Sequence, residues 1–262
     1  MPLLEVRNLR HTYRDAKRGD VLAIRDLSFS VNQGEFISLV GPSGCGKTTM
    51  LMCLAGLLRP SQGVVLLDGQ AVAGPPDNLI LVFQEYNKSL MPWRTVLQNI
   101  SFGLEIKKLT FPEGNRHHLE RLLKVVGLSD FAGRYPWELS GGMQQRVAIA
   151  RALACKPEIL LMDEPFGSVD AQMRFELEDS LLMLWQEFAI TILFVTHDID
   201  EAIYLSDRVL VSGRRPSEIV EERAVGLRRP RDQVRTRSHP EFVEHRTRIY
   251  EMMRTFSEQS PA

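Results

Sequence analysis

Eight consecutive residues, Gly41-Pro42-Ser43-Gly44-Cys45-Gly46-Lys47-Thr48, satisfy the pattern G-x-x-x-x-G-K-[ST]. Glycines at 41, 44 and 46 let successive backbone N–H groups turn inward as an anion nest, and a helix starting there adds the partial positive charge of its N-terminus. Lys47 is then placed to reach the β- and γ-phosphates of a nucleotide, the Thr48 hydroxyl to complete a Mg²⁺ shell, and Thr49 to extend the same turn. Two carboxylates, Asp163 and Glu164, end the apolar run Ile159-Leu160-Leu161-Met162. At the carboxyl end of a buried strand the first suits an outer contact to Mg²⁺, and the second can polarise a water for attack. A third stretch, Leu139-Ser140-Gly141-Gly142-Met143-Gln144-Gln145-Arg146, puts a serine and two glycines where a helix should begin. Read alone it is a capped helix start; behind a phosphate loop it reads as a second helix N-terminus aimed at a phosphate.

These groups need buried strands and helix starts to hold them. Phe36 to Val40 is a continuous apolar run that leads into the glycine-rich loop, and an apolar helical stretch from Lys47 to about Leu58 leads out. Leu27, Phe29 and Val31 alternate with polar residues ahead of the turn Asn32-Gln33-Gly34-Glu35. Further strands are predicted at Gly63–Leu67, Ile80–Phe83, Ile159–Met162, Ile190–Val195 and Val209–Val211. From Leu90 to Ala154 the pattern is helical, with Leu119, Leu122, Leu123 and Val126 at helical spacing and Ser140 as an N-cap. Met173, Leu177, Leu181, Leu184 and Phe188 share one face of another helix. Alternating strands and helices predict an α/β fold with a largely parallel core sheet, interrupted by an inserted helical subdomain. The tail from Arg214 is arginine-rich and ends in a helix over Pro240–Phe256; its arginines read as a solvated face, with docking to a partner or anionic lipid as the alternative.

The 262 residues suffice for one substantial domain, and a net charge of −1 gives no electrostatic footprint for nucleic acid. No apolar run approaches the roughly 20 residues that span a bilayer, and the N-terminus has no signal-peptide pattern, so work at a membrane requires another chain. Cys45, Cys53 and Cys155 form neither a disulfide framework nor a zinc pattern; they read as small, half-buried residues of a reducing cytoplasm. Cys45, inside the phosphate loop, is expected to react with thiol reagents and to be protected by bound nucleotide.

The stretch Leu139–Arg146, placed after a phosphate loop and shortly before an Asp-Glu strand end, resembles the signature sequence of the ABC transporter ATP-binding subunits. The resemblance runs from Leu4 to about Phe256. It implies a P-loop NTPase core with a parallel sheet, an antiparallel β subdomain and an inserted α-helical subdomain. The core would cover 1–87 and 156–213, the helical insertion 88–155, and a C-terminal extension 214–262. It further implies hydrolysis of ATP with Mg²⁺ in a head-to-tail homodimer, where each ATP lies between one chain's loop (Gly41–Thr49) and the partner's Ser140, Gly141, Gly142 and Gln144. Tyr13 matches the aromatic that stacks on adenine, and Gln84 the glutamine that touches Mg²⁺ with Thr48 and Asp163. Lys47, Glu164 and His197 match the catalytic positions. Ser168-Val169-Asp170 stands in the subunit-crossing loop, where Ala-Leu-Asp is usual. The other histidines have no such context and read as surface residues.

Leu90-Met91-Pro92-Trp93, the Met-Gln-Gln-Arg ending of the signature and Arg229-Pro230-Arg231-Asp232 are similar to the nitrate, sulfonate and taurine importer group. That implies an integral membrane permease as partner, indirectly a periplasmic or extracellular solute-binding protein, no nucleic acid, and a place at the cytoplasmic face of the membrane. Leu90–Trp93 would either cap the helical subdomain's core or line a groove for a permease helix. An ABC exporter subunit, or a soluble ABC ATPase acting on ribosomes or DNA, remains as an alternative.

Overall fold

The structure, a computed structural model, describes residues 1–14, 19–167 and 169–258. In chain order its elements begin with strands β1 (Leu4–Tyr13), β2 (Val21–Val31) and β3 (Phe36–Val40), helix α1 (Lys47–Leu54), and strands β4 (Gln62–Leu67), β5 (Gln70–Ala71) and β6 (Leu79–Val82). Helices α2 (Tyr86–Ser89), α3 (Val96–Lys107), α4 (Asn115–Val125) and α5 (Gly141–Ala154) follow. The chain continues through β7 (Ile159–Asp163), α6 (Ala171–Phe188), β8 (Thr191–Thr196), α7 (Ile199–Leu205), β9 (Arg208–Ser212), β10 (Ser217–Ala224) and α8 (Pro240–Glu258). They divide between two compact units: Met1–Pro76 with Thr191–Ala262, and Asp77–Ile190.

In the first unit the strand order is β5-β4-β1-β2-β10-β9-β3-β8. β3 pairs in parallel with both β8 and β9, and every residue of β3 and β8 is buried. That is why Phe36–Val40 reads as an unbroken apolar run: a parallel strand covered on both faces has no polar side to show. β1 pairs antiparallel with β2 and β4, and β4 with β5, which forms the antiparallel β part. The register Val40↔Thr196 brings the ends of β3 and β8 level, so the residues that follow them, Gly41 and His197, leave the sheet side by side. In the second unit β6 pairs in parallel with β7, Val82 opposite Met162, so Gln84 and Glu164 emerge beyond the same end of that pair. α5 packs on α3, α4 and α6.

Helix α1 stops at Leu54, four residues before the predicted end. Gly56 takes a left-handed φ of 68°, and its N–H turns back to Cys53 O at 3.1 Å. A Cβ there would lie 2.3 Å from Gly74 O, so close backbone approach as well as helix termination demands glycine.

The arginine tail is only partly a solvated face: Arg228 and Arg235 are exposed, whereas Arg229, Arg231 and Arg237 are half-buried. Arg229 donates to Asp207 Oδ1 at 2.9 Å and to Leu205 O at 2.7 Å, and Arg231 donates to the carbonyls of Ile203, Tyr204 and Ser206. These are the carbonyls a helix end leaves unpaired, and the fork of a guanidinium can satisfy several at once. Burial pushes the Arg231 pKa down to about 9.

Three histidines expected at the surface are buried, namely His11, His118 and His245. His118 Nε2 lies 3.1 Å from Ala154 O, so that nitrogen carries the proton and donates; His245 Nδ1 accepts from Arg223 Nε at 2.5 Å. Burial lowers both pKa values, and for His245 the adjacent Arg223 lowers it further. Both are therefore neutral in the fold at pH values where the unfolded chain already binds protons, so stability falls as pH drops below the ordinary histidine value of about 6.5. The thermal midpoint is expected to be lower at pH 5.5 than at pH 7.5. The double variant His118→Gln/His245→Gln should flatten that slope; a slope unchanged in the variant would assign the titration to other groups.

Candidate nucleotide site

The phosphate loop springs from β3 and delivers the chain into α1. Gly44 and Gly46 take φ values of 75° and 115°, a region that side chains avoid, and around Gly44 an added Cβ would meet nothing within 4 Å. Gly46 supplies no side-chain cap to α1, so the first N–H groups of the helix have no side-chain partner of that kind. Ser43, Gly44 and Thr48 are exposed, while Lys47 is only 6% exposed. The Lys47 ammonium folds back on the loop, donating to Gly41 O at 2.9 Å and Pro42 O at 3.0 Å, which compensates the burial of its charge. Left-handed glycines, a helix start without a side-chain cap and a cation held inside the same turn fit the triphosphate of a nucleotide.

Tyr13 lies at the end of β1, its hydroxyl 3.1 Å from Thr49 Oγ1, which links the strand to α1. His11, two residues earlier, meets the Tyr13 ring edge-on at 4.7 Å. Cys45 departs from expectation. It is 1% exposed, its Sγ 3.7 Å from Ser212 Oγ beneath the loop, so a thiol reagent cannot reach it without the loop opening. Its side chain fills space against the strand end, where Gly41 is also crowded: a Cβ there would sit 3.0 Å from Ser212 Cβ, 3.1 Å from Ser212 O and 3.2 Å from Cys45 Sγ.

His197 is exposed just past β8. The residues that hold it, Thr196, Asp198 and Glu201, were not singled out from the sequence, although an Asp followed three residues later by Glu is a helix-start signal. Asp198 Oδ1 accepts from the N–H groups of Asp200 and Glu201, and Thr196 Oγ1 donates to Glu201 Oε2 at 2.6 Å.

In the second unit Asp163 is 5% exposed at the end of β7. Glu164 follows with a left-handed φ of 42°. The Gln84 amide nitrogen lies 3.4 Å from where a Cβ on Gly167 would be, so glycine at 167 leaves room for it. Ser140 caps α5 by accepting from Met143 N–H at 3.3 Å, and Gly142 packs against the Met173 side chain, which would have to shift if a Cβ were added. The Gln144 amide donates to Pro136 O at 2.9 Å, and the buried Gln145 amide, also missed in the sequence, donates to Pro165 O next to Glu164. Asp170 is the N-cap of α6, accepting from Met173 N–H at 3.0 Å; Ser168 lies outside the described residues.

The profile of the ABC transporter family matches residues 24–167, and the chain belongs to that family: it is an ATP-binding, ATP-hydrolysing cassette. It is 48% identical over 252 residues to an uncharacterised ABC transporter ATP-binding protein of Methanocaldococcus jannaschii, covering 96% of this chain and 91% of the other. It is 41% identical over 256 residues to the nitrate import ATP-binding protein NrtD of Synechocystis sp., covering 96% and 95%. Among solved structures it resembles a dimeric ATP-binding cassette in a post-hydrolysis state bound to ADP and phosphate, with a TM-score of 0.72, 32% identity, and 85% and 98% of the two chains covered.

The left-handed backbone at Glu164 stores strain of about 1–3 kcal/mol, a feature that clusters at working sites. Glu164→Gly is therefore expected to keep or raise the thermal midpoint while ATP turnover is lost. A marked fall in the midpoint would mean that the Glu164 side chain holds the fold.

Proposed function

We propose that the chain powers a membrane importer, binding MgATP as half of a head-to-tail homodimer and hydrolysing it in the closed state. The observation that carries this reading is the pair of phosphate-suited helix starts, α1 behind the glycine loop and α5 behind Ser140, in a chain of this family. A single nucleotide needs the second start only when it comes from another copy, and a two-fold arrangement satisfies both copies at once. Tyr13 stacks on the base, the loop N–H groups and Lys47 bind the phosphates, and His197 contacts the γ-phosphate. Ser140 Oγ accepts from Met143 N–H, which leaves its O–H to donate to the partner's nucleotide. Thr48, Asp163 and Gln84 would hold Mg²⁺, which supplies neutralisation of the charge on the β- and γ-oxygens. Glu164 takes the proton of the attacking water.

Glu164→Gln should bind MgATP nearly normally while turnover falls by about 10²–10⁴-fold, the usual contribution of a general base. The same variant should form ATP-dependent dimers visible by light scattering, and adding Ser140→Arg should abolish them without loss of nucleotide binding. Dimers that survive Ser140→Arg would remove α5 from the partner's site.

Similarity to a nitrate import protein supports a small oxyanion as the transported solute, and a permease as the partner that selects it. Among the described residues no helix is long and apolar enough to cross a membrane, in keeping with a separate spanning chain. The second unit carries an apolar groove of about 370 Å³ lined by Phe83, Phe102, Gly103, Arg151 and Cys155, directly ahead of Gln84 in sequence. Leu90 is in the core, whereas Trp93 is 71% exposed and available to a partner. None of Leu90–Trp93 lines this groove; it would take a short cytoplasmic helix of the permease, with Phe83 as an anchor and Trp93 as a separate exposed contact. Phe83→Ala and Trp93→Ala are each expected to leave the basal ATPase within about twofold while weakening copurification with the permease. Normal assembly and transport in both variants would exclude this surface.

A further inference from the structure

The residues on either side of His197 are both fastened to α7. Thr196 Oγ1 donates to Glu201 Oε2 at 2.6 Å and accepts from Asp198 N–H at 3.0 Å, while Asp198 caps the helix through Asp200 and Glu201. The backbone of His197 is therefore set jointly by β8, which ends at Thr196, and by α7. A helix of seven residues has little stability of its own, and most of what holds it must come from its neighbours.

Those neighbours are the strands β3, β8 and β9 and, at both helix ends, the C-terminal extension. At the start of α7, Arg246 of α8 forms a two-pronged pair with Asp200, Nε to Oδ1 at 2.6 Å and Nη2 to Oδ2 at 2.8 Å. Arg237 approaches the same carboxylate at 3.5 Å and lies over the Tyr204 ring at 4.9 Å. At the other end Arg231 gathers the carbonyls of Ile203, Tyr204 and Ser206, and Arg229 ties Leu205 O to Asp207. α7 is thus held at both termini by arginines from one segment, through hydrogen bonds of the charge-assisted, stronger kind.

We infer that the segment from Arg229 through α8 is a positioning frame for His197, with Arg246 and Arg231 as positioning residues that act through α7. The inference rests on the proposed contact of His197 with the γ-phosphate. It gives the extension a task in turnover, exerted through α7 on the residue that precedes the helix's cap. A displacement of about 1 Å at a catalytic group can cost as much as 10²-fold in rate, so a modest loosening of α7 should appear in kcat.

The test is steady-state ATPase and nucleotide affinity of the full chain. Arg246→Ala should lower kcat by roughly tenfold with the Kd for ATP changed less than about twofold, and Arg246→Lys, which keeps the charge but one prong of the pair, should restore part of it. In a His197→Ala background, Arg246→Ala should cause no further loss. Wild-type kcat in Arg246→Ala, or a loss that adds in full to that of His197→Ala, would overturn the inference. Normal kcat in His197→Ala would instead overturn the catalytic reading on which it rests. Should Arg246→Ala lose nucleotide binding and its folded midpoint together, Asp200→Asn takes its place in the same cycle, with the same two outcomes deciding.

Discussion

Helix starts leave backbone N–H groups unpaired, and how each is satisfied organises this molecule. α3, α5, α6 and α7 use Thr95, Ser140, Asp170 and Asp198 as side-chain caps. α1 begins at Gly46 with none, behind a loop whose left-handed glycines let other side chains stay out of the way. The partial positive charge of such a start favours an anion, and the rest of the first unit holds it ready for one. The parallel strands β8, β3 and β9 hold Val40 in a fully buried ladder, so the loop departs from a rigid point. Lys47 stays in the turn because two loop carbonyls compensate its burial. A phosphate arriving there meets dipoles and a cation already in position, and little reorganisation is needed on binding.

The chemistry was legible in the sequence because it depends on local rules. Glycine spacing, an apolar strand ending in two acids, and a serine at a helix start are each written within eight residues. What the sequence left obscure depends on partners distant in the chain. Arg231 reads as a solvated charge until the carbonyls of Ile203, Tyr204 and Ser206 are seen beside it, and those become acceptors only once α7 has ended. His118, four residues before Leu122, and His245, between Phe242 and Ile249, do fall on the apolar faces of α4 and α8, but their polar partners Ala154 O and Arg223 are distant in the chain. Cys45 illustrates a different limit: the loop pattern identifies its position but not which side of the loop it faces. The end of α1 is the exception that was readable, as Gly56 is the residue type that terminates helices.

Residues of the signature stretch have structural partners within their own chain. Gly142 makes room for Met173, the Gln144 amide holds Pro136 O, and Gln145 reaches the carbonyl of Pro165 beside Glu164. The helix start at Ser140 is therefore formed in the single chain and does not wait for a second copy to create it. Gln145 also gives α5 a direct bond to the loop that follows the Asp-Glu pair, so a displacement of the signature helix is felt at the residue next to Glu164. Within the second unit, the part that would sense a partner and the part that would activate water are one hydrogen bond and one residue apart.

The same loop bears on how two adjacent acids would take the separate roles proposed for them. In an extended strand successive side chains point to opposite faces, which would send Asp163 and Glu164 apart. β7 ends at Asp163, and Glu164 turns left-handed at once, so the strand's alternation stops between the two acids. Glycine would adopt that conformation without strain but carries no carboxylate, and asparagine would tolerate it but could not accept a proton from water. A glutamate held there by its surroundings is the compromise between backbone preference and chemistry. The strain is tolerable because β7 is buried along its whole length and Pro165 is tied to α5 by Gln145, so both flanks of the residue are anchored.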